Sequence, residues 1–529
     1  MSFNHILRSD LLSLSFKSQT GKKQNLRNTD MPGSSPLYAA IDLGSNSFHM
    51  LVVRNVSGAI RAVSRVKRKV KLAQGLDENN ILSDEAIQRG LDCIRLFSEQ
   101  LKDIPEQNIR IVATATLRLA KNASVFIEKA EKILEHSIEI ISGEEEARTI
   151  YHGVVSTSSA SGNVLVIDIG GASTELIIGQ GLNVKVLHST QMGCVTWLNN
   201  FFTDDEITED KYDKAIEAAI EILSPLADEY LREGFATCVG ASGTIQSLQE
   251  IMISNGESEV VTLEKLIHLK EMTLEYGAFS KLNIAGLSAE RLTVFPSGLS
   301  ILIAIFRILD IKGMTLAGGA LREGVIYRML GDYAPRNIRT KTVDSLITRY
   351  QIDREQAERV TKVSLFAFDN LKEAWQLNDP SARPVLKWAS MLYEIGLCIE
   401  YKKAPKHASY IIDNIEMPGF TNAQKHLLSA LLLNERDAFK LEALKKQSAV
   451  SYEEACALAR ILRLAIIICV RRSPDAIDGE ISFNMPEYGR LELVTTKDWL
   501  DNHYLRATLL KEECQRQQEL GWSMTIREK

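Results

Sequence analysis

Tyr38-Ala-Ala-Ile-Asp42-Leu-Gly44-Ser45-Asn46-Ser47-Phe48-His-Met-Leu-Val-Val53 and Val164-Leu-Val-Ile-Asp168-Ile-Gly170-Gly171-Ala-Ser173-Thr174-Glu175-Leu-Ile-Ile178 are two copies of one pattern. Each is an apolar strand that ends in aspartate, a glycine-containing turn, a serine, and a second apolar strand. A single Asp-x-Gly turn is ordinary hairpin chemistry. Two matched copies in one chain predict two lobes, each owning one hairpin. Glycine lets the backbone of such a turn come close to a ligand, and the free N–H groups and hydroxyls offer donors to phosphate oxygens. Asp42, Gly44, Ser45, Asn46 and Ser47 in the first copy, with Gly170, Gly171 and Ser173 in the second, are therefore expected to clamp a phosphate chain between the lobes.

Outward from the repeat, short β-branched runs alternate with amphipathic stretches between Leu37 and about Leu330, which reads as α/β. Strands are expected at Asn108 to Ala113, Ile138 to Ile141, Cys238 to Val239 and Met314 to Ala317, and a helix over Asp84 to Lys102 behind Ser83 as N-cap. Two further glycine-rich turns, Val239-Gly-Ala-Ser242-Gly243-Thr and Leu316-Ala-Gly318-Gly319-Ala-Leu-Arg322-Glu-Gly324, leave strands and open helices. A helix N-terminus placed there is an anion site, although tight β-to-α connections would use the same residues. Glycine thins out after about Arg336 and helical periodicity takes over, with a hairpin expected over Ile481 to Val494. The expected division is an unstructured extension over 1–36, lobes over 37–157 and 158–335, and a helical domain over 336–529.

Asp168 and Glu175 flank the second turn and offer hard oxygen ligands of the kind magnesium takes. In Ser142-Gly-Glu144-Glu145-Glu146-Ala-Arg148 the acids suit a helix N-terminus electrostatically. Successive helical positions diverge by about 100°, so at most one of the three aims into a cleft. A carboxylate there, taken as Glu146, would accept the proton of an attacking water. Arg65, Lys67, Lys69 and Lys71 alternate with Val66, Val70 and Leu72, with Arg68 breaking the pattern, which puts four cations on one face of a strand. They protect a sheet edge or guide a polyanion.

With 529 residues the chain exceeds a single core. Apolar content of 45%, charged content of 25% and aromatic content of 7% are those of an ordinary soluble protein. A net charge of -6 and a pI near 6.0 give no general field for nucleic acid or an anionic membrane. The longest apolar runs, Ser300 to Phe306 and Leu464 to Val470, are too short to span a bilayer. Seven scattered cysteines without a C-x-x-C pair fit a reducing, cytoplasmic setting.

The blocks YAAIDLGSNSFHML, VATATLRLAKNA, ISGEEEAR, VIDIGGASTEL, MGCVTWL, VGASGTIQ and LAGGALREG together resemble the exopolyphosphatase and guanosine pentaphosphate phosphohydrolase family, a branch of the actin, hexokinase and Hsp70 superfamily. QMGCVTWLNNFF and RVKRKVKLAQGL are more similar to its guanosine pentaphosphate branch. The resemblance implies two actin-like, ribonuclease H-like lobes followed by a helical HD-like domain. It implies release of the 5' terminal phosphate of pppGpp to give ppGpp in the stringent response, or of terminal phosphate from polyphosphate. It also implies magnesium as cofactor and a homodimer. Carried onto this sequence, Glu146 is the general base and Asp168 and Glu175 hold the metal. Ser45, Asn46, Ser47, Gly170, Gly171, Ser242 and Gly243 contact phosphates, and Arg118 supplies a cation. One departure is Leu392-Tyr393-Glu394-Ile395-Gly396, where the family's metal-ligating histidine is tyrosine. With His407 alone beside it, no second catalytic metal centre is expected in that domain.

Two rivals remain at this level. A superfamily kinase would need an aspartate base near a sugar-binding segment, and no such block is evident. A ppGpp sensor without turnover would not need Glu146, Asp168 and Glu175 together.

Overall fold

The computed structural model describes residues 36–56, 59–158, 162–331, 338–472, 480–487 and 490–529. The extension expected over 1–36 lies outside the described residues, apart from Pro36.

Two five-stranded sheets repeat one topology. In the first, β1 (Leu37–Leu43), β2 (Ser47–Val56) and β3 (Ala59–Lys69) form an antiparallel meander, followed by α1 (Asp84–Leu101). β4 (Ile109–Ala113) lies parallel to β1, and after α2 (Ala115–Leu119) and α3 (Ala123–Leu134) the short β5 (Glu139–Ile140) lies parallel to β4. α4 (Gly143–Thr157) closes this half. The second sheet uses β6 (Asn163–Ile169), β7 (Thr174–Gln180) and β8 (Asn183–Thr190) as its meander, then α5 (Cys194–Phe201) and α6 (Glu209–Glu233). β9 (Thr237–Gly240) is parallel to β6, and after α7 (Gly243–Ser254), α8 (Leu263–Tyr276) and α9 (Phe295–Ile308), β10 (Thr315–Leu316) is parallel to β9. α10 (Leu321–Leu330) ends it. The strand orders β3-β2-β1-β4-β5 and β8-β7-β6-β9-β10 are thus equivalent. This is the two-lobed, actin-like architecture.

Side-chain alternation decides which way each sheet faces. In β1 and β2, Ile41, Leu43, Phe48 and Met50 pack outward under α1 and α3, while Ala40, Leu51 and Val53 join a core shared by both lobes. In β6 and β7, Leu165, Ile167, Leu176 and Ile178 turn outward, while Val164, Val166 and Ile177 join the same shared core. Asp42 and Asp168 fall on the inner faces by this alternation, as do His49 and Glu175. α4 and α10 cross between the sheets, so closely that a β-carbon on Gly153 would stand 2.0 Å from the Ala320 carbonyl oxygen, and one on Gly324 1.9 Å from that of Thr149. α4 thus follows the first sheet in sequence yet packs on the second.

The remaining chain is helical: α11 (Ile338–Arg349), α12 (Arg354–Leu371), α13 (Ala382–Leu392), α14 (Ala404–Asn414), α15 (Asn422–Leu433), α16 (Leu441–Lys446) and α17 (Tyr452–Ile468). The expected hairpin is β11 (Ser482–Glu487) with β12 (Arg490–Thr495). After α18 (Lys497–Asn502) and α19 (Tyr504–Gln518), β13 (Ser523–Glu528) adds a parallel third strand to it. These elements share one core, including Leu386, Leu431, Leu458 and Leu491.

Within that domain Glu435 is 6% exposed and its Oε2 has no hydrogen-bond partner among the described residues. Burial lifts its pKa from 4.5 to about 8, against a lowering by Arg436 and with further raising by Glu394 and Asp437. The folded chain therefore keeps a proton that the unfolded chain releases. That stability is complete below about pH 4.5 and is lost as pH rises through about 8. Glu435→Gln is expected to raise the thermal midpoint at about pH 8.5 and leave it nearly unchanged at about pH 4.5. Calorimetry at the two pH values checks this, and an equal drop at both would contradict it.

Candidate active site

The two Asp-ended hairpins meet. Asp42 pairs across to His49 and Asp168 to Glu175, the same register in both lobes. A β-carbon on Gly171 would lie 3.2 Å from Cβ of Ser45 and 3.6 Å from the Asn46 nitrogen. Gly44 and Gly170 are not in the left-handed region. They are needed for space, since a β-carbon would press to 2.9 Å on the Ser47 carbonyl oxygen and 3.0 Å on that of Ser173. The first turn is fixed from behind: Val70 and Lys71 N–H groups donate to the Asn46 carbonyl, at 3.1 and 2.8 Å, and Ala73 N–H donates to that of Ser45 at 2.9 Å. The second is fixed by the start of α5, where Cys194 and Val195 N–H groups donate to the Gly170 and Gly171 carbonyls at 2.9 and 2.8 Å.

Between the turns lies a cleft of about 480 Å³. Asp42, Gly44, Ser45, Asn46, Ser47, Glu146, Asp168, Gly170, Gly171, Ser173, Glu175, Ser242 and Gly243 all line it. Arg118 does not. Its Nη1 donates to Glu146 Oε2 at 2.6 Å and to the Ile141 carbonyl at 2.9 Å, so it braces the glutamate.

Glu146 is the acid of its triplet that enters the cleft. Ser142 caps α4 by accepting from Glu145 N–H, Glu144 stays exposed, and Glu145 pairs with Arg328 on α10. Burial raises the Glu146 pKa and the Arg118 guanidinium opposes the rise. Desolvation, then Glu146, lifts Asp168 to about 7, with Arg322 pulling the other way. Asp42 rises to about 7 through desolvation, opposed by Arg322 and reinforced by Glu146 and Asp168. Glu175 is raised further by burial and by Glu146 and Asp168, while hydroxyls of Ser173 and Ser189 favour its ionised form. Ser189 Oγ donates to Glu175 Oε1 at 2.8 Å.

Four crowded carboxylates, with Asp42 Oδ1 lacking a hydrogen bond among the described residues, offer the hard oxygen donors that a divalent cation takes. Among the described residues no three His, Cys, Asp or Glu side chains converge on one metal position.

Basic residues line the same cleft. His49, Arg65, Lys67, Arg291 and Arg322 line the cleft. His49 is held near pKa 3 by burial and by Arg322, Lys67 and Arg291, so it stands neutral. Gly243 makes room for Arg291, whose Nη2 would be 1.5 Å from a β-carbon there. Ser242 is the N-cap of α7 yet its Oγ bonds to nothing among the described residues, leaving the hydroxyl available to a ligand.

Sequence reasoning did not assign His49, Arg291 or Arg322. The repeat itself held the signal for His49, which occupies in the first copy the position of Glu175 in the second. Arg291 sits on an irregular segment without any pattern to mark it. The cationic stripe is corrected at one end: β3 stops at Lys69, and Lys71, with φ of 52°, leaves the strand. In the helical domain, Tyr393 donates to Glu394 Oε1 at 3.0 Å and Arg472 pairs with the same carboxylate.

The sequence model of the Ppx/GppA phosphatase family matches residues 51–333, and that of Ppx/GppA phosphatase, domain III, matches residues 338–514. A guanosine-5'-triphosphate,3'-diphosphate pyrophosphatase of Aeromonas hydrophila is 59% identical over 94% of this chain and 99% of its own. One from Vibrio cholerae is 49% identical over 93% of this chain and 98% of its own. A solved exopolyphosphatase from Cytophaga hutchinsonii shares the fold over 56% of this chain and 98% of its own, with TM-score 0.52 and 24% identity. A repeated hairpin pair, a shared cleft and matches along nearly the whole chain agree: the chain belongs to the Ppx/GppA phosphatase family.

Proposed function

We propose that the chain hydrolyses the 5' terminal phosphoanhydride of guanosine pentaphosphate, pppGpp + H2O giving ppGpp + phosphate, in the stringent response. The observation that carries the reading is one cleft lined both by Glu146, Asp168 and Glu175 and by Arg291, Arg322 and Lys67. The relatives named for guanosine-5'-triphosphate,3'-diphosphate support this choice of substrate over inorganic polyphosphate.

In this reading Glu146 takes the proton of the attacking water, and the Arg118 bond holds the carboxylate in place for it. Asp168 and Glu175 would hold magnesium, and the Ser189 and Ser173 hydroxyls oppose the rise in the Glu175 pKa that burial, Glu146 and Asp168 cause. Bound magnesium would supply positive charge to the phosphoryl oxygens. The turns at Ser45 to Ser47 and Gly170 to Ser173, with Ser242 and Gly243 at the α7 N-terminus, orient the phosphates in line with the water. Arg322 and Arg291 meet the charge that spreads over the oxygens.

Free cysteines at all seven positions fit the cytoplasm, and no helix among the described residues is long and apolar enough to cross a membrane. A homodimer through the helical domain belongs to the same proposal.

Phosphate release from pppGpp and from long-chain polyphosphate, each with magnesium and with chelator, tests the reading. Turnover of pppGpp is expected to exceed that of polyphosphate and to fall at least roughly 100-fold in chelator, the loss of several kcal/mol of charge stabilisation. Release from polyphosphate alone would move the assignment to exopolyphosphatase.

A further inference from the structure

β3 is the outer strand of the first sheet, and its alternate residues Arg65, Lys67 and Lys69 share the face that carries the cleft. The outer two are neutralised. Arg65 pairs with Glu416 of the helical domain at 3.0 Å and with Glu323 of α10 at 3.8 Å. Lys69 Nζ donates to the Glu290 carbonyl at 3.1 Å and lies 3.9 Å from that residue's carboxylate. Lys67, between them, lines the cleft and makes no hydrogen bond or ion pair among the described residues. It stands exposed at the cleft, where the neighbouring Arg291 and Arg322 guanidinium groups disfavour a further cation. The nearest acid acting on it is Glu290, already engaged by Lys69.

The register fixes where Lys67 stands. Asp42 pairs with His49 and His49 with Lys67, so the three form one row across the inner face. The equivalent row in the other lobe is Asp168, Glu175 and Ser189. Lys67 is thus two strand spacings, about 10 Å, from Asp42. It is set apart from the carboxylates around which the reacting phosphate must sit. A cation kept without a counter-ion, beside other cations and held at each side by bridged neighbours, lowers the stability of the empty protein unless an anion arrives.

We propose that Lys67 is a specificity-determining residue that binds a phosphate group of the substrate other than the one removed. The inference rests on the proposed reaction for the identity of that substrate. Arg65 and Lys69 act as positioning residues, since their bridges to Glu416, Glu323 and Glu290 hold β3 against the second lobe and the helical domain.

The test compares wild type with Lys67→Met and Lys67→Arg. The product ppGpp, which keeps every phosphate but the transferred one, is the probe for equilibrium binding. Lys67→Met is expected to weaken ppGpp binding roughly 10- to 100-fold, as for a lost hydrogen bond to a charged group. KM for pppGpp should rise by a similar factor while kcat at saturation stays within about 3-fold, because the reacting phosphate keeps its own contacts. Inhibition by inorganic phosphate should be unchanged. The thermal midpoint of the ligand-free variant should rise, which a structural role for Lys67 would not produce. Lys67→Arg should restore most of the binding. Wild-type ppGpp affinity in Lys67→Met, a lowered midpoint, or a fall in kcat with KM unchanged would each overturn the proposal. If the wild type turns over polyphosphate alone, the reaction proposed above fails, and the same KM and kcat comparison on polyphosphate still decides the role of Lys67.

Discussion

Glu146→Gln is expected to lower phosphate release by roughly 100- to 10,000-fold, the usual cost of a lost general base. Glutamine keeps the shape of the side chain and an oxygen for the Arg118 donor, which lies 2.6 Å from Glu146 Oε2. It cannot take a proton. Because Glu146 stands with Asp168 and Glu175, removing its charge also relieves repulsion in the cleft, so ppGpp binding should hold or tighten. Single-turnover phosphate release beside equilibrium binding separates the two effects. Wild-type turnover in this variant would take Glu146 out of the chemistry, and lost binding would make it a structural residue.

The second large effect lies far from the cleft. Arg463 and Glu513 join α17 to α19, with side chains 2% and 0% exposed. Arg463 Nε and Nη2 donate to the two carboxylate oxygens at 2.8 and 2.6 Å. Nη1 and Nη2 also reach the Asn434 and Asp437 carbonyls at 3.0 and 2.9 Å, and the guanidinium lies 4.2 Å from the Phe439 ring centroid. Removing one partner strands a buried charge. Glu513→Ala is therefore expected to cost about 3 to 5 kcal/mol. In a domain of this size that lowers the transition by roughly 6 to 20 °C. Replacing both residues by leucine should recover much of the loss, since the desolvation cost disappears together with the pair. Thermal unfolding of the single and double variants checks this, and a cost under about 1 kcal/mol for Glu513→Ala would contradict it.

Much of the fold was legible because its causes are local. Alternation and turn chemistry marked β1, β4, β6 and β9 within a residue or two, and Ser83 accepts the N-cap bond its sequence context suggests. The helices at Ser300 and Leu464 are buried, as their apolar runs require. Lys71 and β13 were not legible. Lys71 continues an alternating pattern but its backbone turns to place the Asn46 carbonyl, a demand made by the distant cleft. β13 needs β12 beside it, and a pairing over about thirty residues leaves no period in either strand alone.

The site divides the same way. The duplicated hairpins identified the two turns that meet at the cleft, and the matching offset from each aspartate carried His49 and Glu175 to equivalent places. The bond from Arg118 to Glu146 joins two separate elements, so no local pattern announced it.

By itself the sequence determined two Asp-ended hairpins, the face on which each aspartate lies, and the rule that a single member of Glu144 to Glu146 can enter the cleft. Those follow from the two-residue period of strands and the angular step of helices, which are properties of neighbouring residues. The tertiary structure decided that Glu146 enters the cleft, that Arg118 bonds to it, and that Arg291, Arg322 and Lys67 line the same cleft. Such meetings depend on how α4 and α10 cross between the sheets, and that packing is set by shape and burial summed over the whole chain.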